Sequence, residues 1–205
     1  MDKPAPAAHP IHPLAAQRWS PHAFDPKRTV DDKALASLLE AARWSPSSYN
    51  EQPWAYVLGR LHEDPQSHAR VLSCLVPGNQ RWAKDAPVLM IAVAKLNFDR
   101  NGKPNRHHMH DVGQSLAWLT MQAESMGLRV HQMAGIDPDA CRRELGIPEG
   151  WEPATGVAIG YPGPVDQLPD DLKARETAAR SRKPLSDHVF IGQWGAALPA
   201  VSAGV

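Results

Sequence analysis

The sequence predicts one α+β domain in which helices alternate with short strands. Three observations carry that expectation. Val88 to Ala94 is an unbroken apolar run between Pro87 and Lys95, the form of a strand covered on both faces. Val112, Leu116, Leu119, Ala123 and Met126 recur at helical spacing. The chain of 205 residues holds no internal repeat and no low-complexity linker, and that length suits a single core.

The elements follow in order. Through about Gln17 the chain is rich in Pro, Ala and His, which favours an extended arm over a packed element. Thr29 with Asp32 three residues on has the form of a capping box, and Leu35, Leu38, Leu39 and Ala42 continue it, so a helix is expected from about Val30 to Trp44. Pro46 disfavours the helical conformation at Ser45, so the chain should leave into the loop Ser47-Ser48-Tyr49-Asn50. Trp54 to Gly59 reads as a strand, and the Val88 run should lie centrally in a sheet. The longest helix is expected from Asp111 to Met126, ended by Gly127. Leu128 to Gln132 suits a short strand, Asp137-Pro138 opens a helix to about Leu145, and Thr155 to Ile159 gives another strand. A polar, basic tail follows.

Composition narrows the class. Twenty-two basic residues balance twenty-two acidic ones, so net charge predicts no long-range field for gathering nucleic acid or anionic lipid. The longest apolar run is too short to span a bilayer, and the first seventeen residues hold four prolines and no signal-like apolar stretch. Cys74 and Cys141 belong to no C-x-x-C pair, which argues against a disulfide framework or a zinc knuckle. A soluble protein of the reducing cytoplasm is expected, with neither nucleic acid nor membrane as partner.

Three segments collect hydrogen-bonding and cationic side chains where core packing does not explain them. They are Arg18-Trp19-Ser20-Pro21-His22-Ala23-Phe24, then Ser45-Pro46-Ser47-Ser48-Tyr49-Asn50-Glu51-Gln52-Pro53-Trp54, then Arg180-Ser181-Arg182-Lys183-Pro184-Leu185. The planar fork of arginine matches phosphate oxygens two at a time, so Arg18, Arg180 and Arg182 with the Ser20 hydroxyl suit one phosphate group. Singly, SPSS is an ordinary helix-ending turn and RSRK an ordinary solvated stretch. In combination and order, RWSPHAFD, a helix, SPSSYNEQPW entering a strand, and AIGYP followed by RSRKPLSDHVF resemble the nitroreductase family of flavoproteins from Arg18 to Phe190.

The resemblance implies a three-layer α/β/α sandwich around a mixed central sheet, assembled as an intertwined homodimer with two FMN sites at the interface. It implies an arm over 1–17, a domain over 18–190, and an extension over 191–205 draped on the partner subunit. By the same resemblance Arg18, Trp19, Ser20 and His22 with Arg180 and Arg182 form the phosphate and ribityl end of the cofactor site. Pro46, Ser47, Ser48 and Asn50 of the partner subunit flank the isoalloxazine, Asn79 touches its pyrimidine, and Met133, Ala134 and Gly135 pass close to the ring. NADH or NADPH is the transient hydride donor, nitroaromatics or quinones are the acceptors, and the two alternate in one site by ping-pong kinetics. No side chain is assigned a catalytic role, because the flavin carries the redox chemistry. A chain without G-x-G-x-x-G after a strand has no dedicated dinucleotide site.

Three positions depart from the family pattern. His22 and Trp82 stand where better-known members carry cations, and Ala134 where they often carry Glu. Fewer cations near the flavin imply a weaker oxidant. Residues 77–84 and 96–110 are expected to form variable pocket walls. Other readings are a non-catalytic flavin-binding protein, or a superfamily member acting on enones, halogenated or other redox substrates. A metal enzyme using His107, His108, His110 and Asp111 is disfavoured by the spacing of the histidines. Ser47 or Ser48 as hydrolase nucleophile lacks a G-x-S-x-G elbow. Of the seven tryptophans, Trp44, Trp54, Trp82 and Trp118 are expected in core or dimer contacts.

Overall fold

In the computed structural model, which describes residues 2–202, the sheet comprises β1 Trp54–Arg60, β2 Val88–Lys95, β3 Arg129–Met133 and β4 Trp151–Gly160. Its spatial order is β1-β2-β4-β3. The apolar run of β2 is buried on both faces, as expected. Leu89, Ile91 and Val93 enter one core cluster, and Val88, Met90, Ala92 and Ala94 enter the other, the two-residue alternation of a strand between two layers. The expected mixed sheet is corrected here: among the described strands every pairing is antiparallel. A parallel neighbour would have to join the outer edge of β1 or β3, and the described chain supplies no such strand.

The helices are α1 Pro13–Gln17, α2 Asp32–Arg43, α3 Pro65–Ser73, α4 Pro77–Ala83, α5 His108–Ser125, α6 Pro138–Leu145, α7 Asp170–Thr177 and α8 Pro199–Ser202. One layer is α2 with α5, whose Leu35, Leu38, Val112 and Leu116 pack on the Val88 side of β2. The other brings Val71 of α3, Trp82 of α4, Cys141 of α6 and Leu172 of α7 against the Leu89 side. This is the expected three-layer sandwich.

Asp31, and not Thr29, caps α2, accepting from Ala34 N at 2.8 Å. Asp64 caps α3 and Asp137 caps α6 in the same way, each followed by proline in the first turn. Gly127, with φ of 73°, follows α5 where a left-handed residue is required. Helices α3, α4 and α7 were not expected. They span seven to nine residues, and the buried positions of each, such as Leu172 and Glu176 in α7, are too few to mark a period. Pro77–Ala83 is thus a helix where a variable wall was expected. The arm holds one helical element, α1, begun by the His12 ring accepting from Leu14 N at 3.2 Å. Residues 203–205 of the expected extension lie outside the described residues.

Among the described residues no helix is long and apolar enough to cross a membrane.

Candidate cofactor site

The first and last thirds of the chain meet at a cluster of arginines. Arg18, which ends α1, donates from Nη1 to Ser20 Oγ at 3.2 Å. Arg180 donates from Nη1 to the carbonyls of Lys3 and Ala16 at 2.5 and 2.7 Å, tying the arm to the tail. Arg18, Arg180 and Arg182 all line one cavity of about 840 Å³, whose wall also includes Lys183, residues 5–9 of the arm and residues 184–186 of the tail. Burial, then the charges of Arg180 and Arg182, holds Arg18 below its ordinary pKa. Burial and Arg182 do the same to Arg180. The carboxylate felt by both is Glu124, which is itself buried and paired with Arg129 at 3.0 Å. Burial pushes Glu124 upward, against Arg129, Arg18 and Arg180. With Arg129 paired to Glu124, the Arg18, Arg180 and Arg182 guanidiniums keep an excess of positive charge that an anion of two charges would largely offset.

Trp19 follows Arg18 in the chain. Its ring is buried under Lys3, whose Nζ lies 4.7 Å from the ring centroid. Its Nε1 is buried and finds no acceptor among the described residues.

His22 faces inward. Glu176 of α7 is fully buried, and its carboxylate accepts from His22 N at 2.9 Å, His22 Nδ1 at 3.0 Å and Ala23 N at 3.2 Å. Burial works to raise the Glu176 pKa, and the bonds from His22 and Ala23 outweigh it and hold it low. The His22 ring meets Trp82 and His131 edge-on, at centroid distances of 5.0 and 4.8 Å. His131, on β3, gives its Nδ1 proton to the Pro21 carbonyl at 2.7 Å, since a carbonyl only accepts. Burial drives the His131 pKa down to about 4, with His22 and Arg18 adding to the fall against Pro21 and Glu176. The departures at 22 and 82 are therefore one packing solution: two rings in contact inside the protein, in place of two separate cations.

One turn before Trp82 on α4, Asn79 donates from Nδ2 to the Gly135 carbonyl at 3.0 Å, and Val76 N donates to the same oxygen at 3.1 Å. Met133 is buried at the end of β3, with Thr155 Oγ1 donating to its carbonyl at 2.8 Å, and Ala134 is exposed. A side chain at 135 would lie 2.6 Å from Asn79 Nδ2 and 2.7 Å from a Val76 methyl. Neighbours in the same chain thus already require glycine there. His22 and Trp82 thus meet His131 on the edge strand β3, and Asn79 meets Gly135 just beyond its end.

Pro46, Ser47, Ser48 and Asn50 lie elsewhere. Ser48 N donates to Asp111 Oδ2 at 3.0 Å, and Asp111 is buried at the start of α5. Ser47 Oγ accepts from Gln52 N at 3.0 Å. Tyr49, Asn50 and Gln52 have φ of 54°, 55° and 52°, interrupted by Glu51 at −68°; positive φ without glycine costs free energy and clusters at functional sites. This loop enters β1 at Trp54, which pairs with Ala94, whereas Arg129 pairs with Gly160 at the opposite end of the sheet. The two corners stand roughly 20 Å apart along the strands and about 14 Å across them. One chain therefore does not bring the serine loop to the arginines.

Residues 15–161 match the nitroreductase family. The chain belongs to the nitroreductase family. This nitroreductase-family chain is 27% identical over 210 residues to the major NAD(P)H-flavin oxidoreductase of Aliivibrio fischeri, covering 82% of this chain and 96% of that one. It is 29% identical over 188 residues to the oxygen-insensitive NAD(P)H nitroreductase of Salmonella typhimurium, covering 72% and 87%. Among solved structures it is similar to an oxidoreductase containing FMN, with a TM-score of 0.87 and 35% identity over 94% of this chain and 96% of the other.

Sequence reasoning missed three residues that organise this nitroreductase-family site. Asp111 stood in the HHMHD stretch and was weighed there as a metal ligand. The His107 and His110 rings are 6.1 Å apart and exposed, and His108 bonds the Asn105 carbonyl through Nδ1. Among the described residues no cluster of three or more His, Cys, Asp or Glu is arranged to hold a metal. Glu124 and Glu176 carry no local signal, since a buried acid on a helix reads as a solvated one until its partners are known. Of the four tryptophans expected in contacts, Trp82 is core, whereas Trp44 and Trp118 are 68% and 51% exposed.

Proposed function

We propose that the chain is an NAD(P)H-dependent flavin oxidoreductase that holds FMN between two copies of itself and reduces nitroaromatic, quinone or related electron-poor acceptors. The observation that carries the reading is the convergence of Arg18, Arg180 and Arg182 on one cavity in a nitroreductase-family fold. A phosphate dianion fits that donor set, and the buried Trp19 N–H, next in sequence to Arg18 and without an acceptor among the described residues, is a further donor that a bound group could use.

When bound, FMN supplies a ring that takes hydride from the nicotinamide donor and passes electrons to the acceptor. The protein's part is to bind and orient. Arg18, Arg180, Arg182 and the Ser20 hydroxyl hold the phosphate. Asn79 Nδ2 is occupied by Gly135, which leaves Oδ1 to accept from the pyrimidine edge. The loop at Pro46, Ser47, Ser48 and Asn50, pinned by Asp111, comes from the partner subunit, because its own arginines stand at the opposite corner of the sheet. A homodimer is the smallest assembly that completes such a site. With no separate dinucleotide site, donor and acceptor occupy the same face in turn, and steady-state kinetics are ping-pong. His22 and Trp82, packed on each other, add no free cation there, so the bound flavin is a weaker oxidant than one flanked by lysines. Cytoplasmic residence accords with two free, buried cysteines.

The test is an anaerobic titration of FMN-loaded protein with NADH and, separately, NADPH, following the flavin absorbance band. Bleaching that reverses on adding a nitroaromatic or quinone is expected. Binding of FMN without bleaching by either donor overturns the enzyme reading in favour of a flavin-binding role. A monomer that binds FMN stoichiometrically, by light scattering, overturns the shared site.

A further inference from the structure

Beyond β2 the chain forms a tight hairpin over residues 96–105. Phe98 N donates to the Lys103 carbonyl at 2.9 Å, Gly102 N to the Phe98 carbonyl at 2.8 Å, and Asn105 N to the Leu96 carbonyl at 2.7 Å. This hairpin leans on the strained serine loop. Asp99 N donates to Glu51 Oε1, and the Phe98 and Tyr49 rings meet edge to face at 5.8 Å. Arg100 lies over both rings, its guanidinium carbon 3.8 Å from the Tyr49 centroid and 5.1 Å from that of Phe98.

The nearby acids are occupied elsewhere: Asp99 pairs with Lys95, and Glu51 accepts from Asp99 N. Among the described residues no carboxylate pairs with Arg100. Its charge is held in place by aromatic faces, which restrain a guanidinium without neutralising it and leave its N–H edge available. Tyr49, the platform, is 73% exposed and sits between Ser48 and Asn50 with a left-handed backbone. On the reading above, on which this step rests, Ser48 and Asn50 flank the ring of the cofactor, so Arg100 stands at the rim of the space where donor and acceptor stack.

We infer that Arg100, carried on Tyr49 and Phe98, is a specificity-determining residue that recognises an anionic group on a redox partner, namely a carboxylate or sulfonate on an aromatic acceptor or the additional phosphate of NADPH. A charge-assisted hydrogen bond in such a place separates charged from uncharged ligands by about tenfold or more. Lys103 and Arg106 share the stretch but meet no aromatic ring among the described residues, so they contribute general field only, which salt screens.

The experiment compares FMN-supplemented wild type, Arg100→Ala, Arg100→Lys and, as control, Arg106→Ala. Dissociation constants for 4-nitrobenzoate and its uncharged methyl ester are measured by calorimetry, and kcat/KM for the same pair and for NADPH against NADH by stopped assays. Arg100→Ala is expected to lower the nitrobenzoate-to-ester ratio about tenfold, with Arg100→Lys intermediate and Arg106→Ala at the wild-type ratio. A fall in the NADPH-to-NADH ratio in place of the acceptor ratio assigns the anion to the donor and supports the same residue. If neither ratio moves, or if Arg106→Ala moves them equally, the inference is overturned. Failure of the flavin reading appears separately, as protein that takes up no FMN, and overturns the inference with it, whereas protein that takes up FMN with unmoved ratios overturns the role of Arg100 alone.

Discussion

Asn79 and Gly135 are locked to each other: the Asn79 amide donates to the Gly135 carbonyl at 3.0 Å, and the same nitrogen fills the space where a side chain at 135 would begin, 2.6 Å away. The contact joins α4 to the end of β3 and fixes two residues of the proposed flavin edge at once. Because the Val76 methyl lies as close at 2.7 Å, moving the Asn79 side chain alone does not make room.

Gly135→Ala is therefore expected to destabilise the fold by about 1–3 kcal/mol through overpacking and to weaken FMN binding. Asn79→Ala should cost about 1 kcal/mol for the lost hydrogen bond. The double variant should cost less than the sum, because removing the amide relieves part of the clash. Urea unfolding of the three variants checks this, and strict additivity would show that the two residues act independently.

The arginine cluster separates phosphate recognition from ring recognition. Arg18→Ala and Arg182→Ala are each expected to weaken FMN about ten- to hundredfold, the scale of a lost charge-assisted bond. Riboflavin, which has the ring and no phosphate, should be affected far less. Flavin fluorescence on titration gives both constants. Equal losses for the two ligands would remove the arginines from the phosphate.

How much of this was legible in the sequence follows from what kind of force made each feature. The β2 run and the stripe of Val112, Leu116 and Leu119 were legible because burial imposes a period on many residues together. Short helices such as α7 were not, because two buried positions set no period and no side chain caps the start. The Thr29 assignment failed because Asp31 offers a competing cap two residues later. Arg18, Arg180 and Arg182 were legible as a group only through motif order, since nothing local says that residues so far apart in the chain converge. The buried acids were invisible for a related reason: Asp111 and Glu176 are defined by Ser48, His22 and Ala23, which reach them only after folding. His22 and Trp82 looked like two losses of charge, and only their ring contact shows a single packing unit.

Glu176 ties the two arms of the cluster together, since it bonds His22 and Ala23 four residues before Arg180 and its own carbonyl accepts from Lys3 Nζ at 2.6 Å. Glu176→Ala leaves buried N–H groups without an acceptor and should cost about 3 kcal/mol. Glu176→Gln keeps one acceptor oxygen and should cost less. If the residue positions the arginines, the FMN-to-riboflavin affinity ratio falls in the folded Gln variant. An unchanged ratio would confine Glu176 to stability.

His131 sets a pH dependence whose sign follows from its depressed pKa. In the unfolded chain the ring takes a proton near 6.5, whereas in the fold it resists until about 4, because burial disfavours the charged form. Between those values the unfolded state binds more protons, so stability is complete above about 6.5 and falls as the pH drops toward 4. At roughly 1.4 kcal/mol per unit the full loss is on the order of 3 kcal/mol. The groups facing the ring are His22 and Arg18, which favour the neutral form, and Glu176, which opposes them. Glu176 is itself held low, so its own contribution is lost as the pH falls through and below the ordinary carboxylate range, overlapping only the acid end of the His131 window. His131→Asn keeps a donor for the Pro21 carbonyl and removes the titration. Urea midpoints from pH 7 to 4.5 should therefore fall less steeply for this variant than for wild type, and parallel slopes would assign the acid sensitivity to another group.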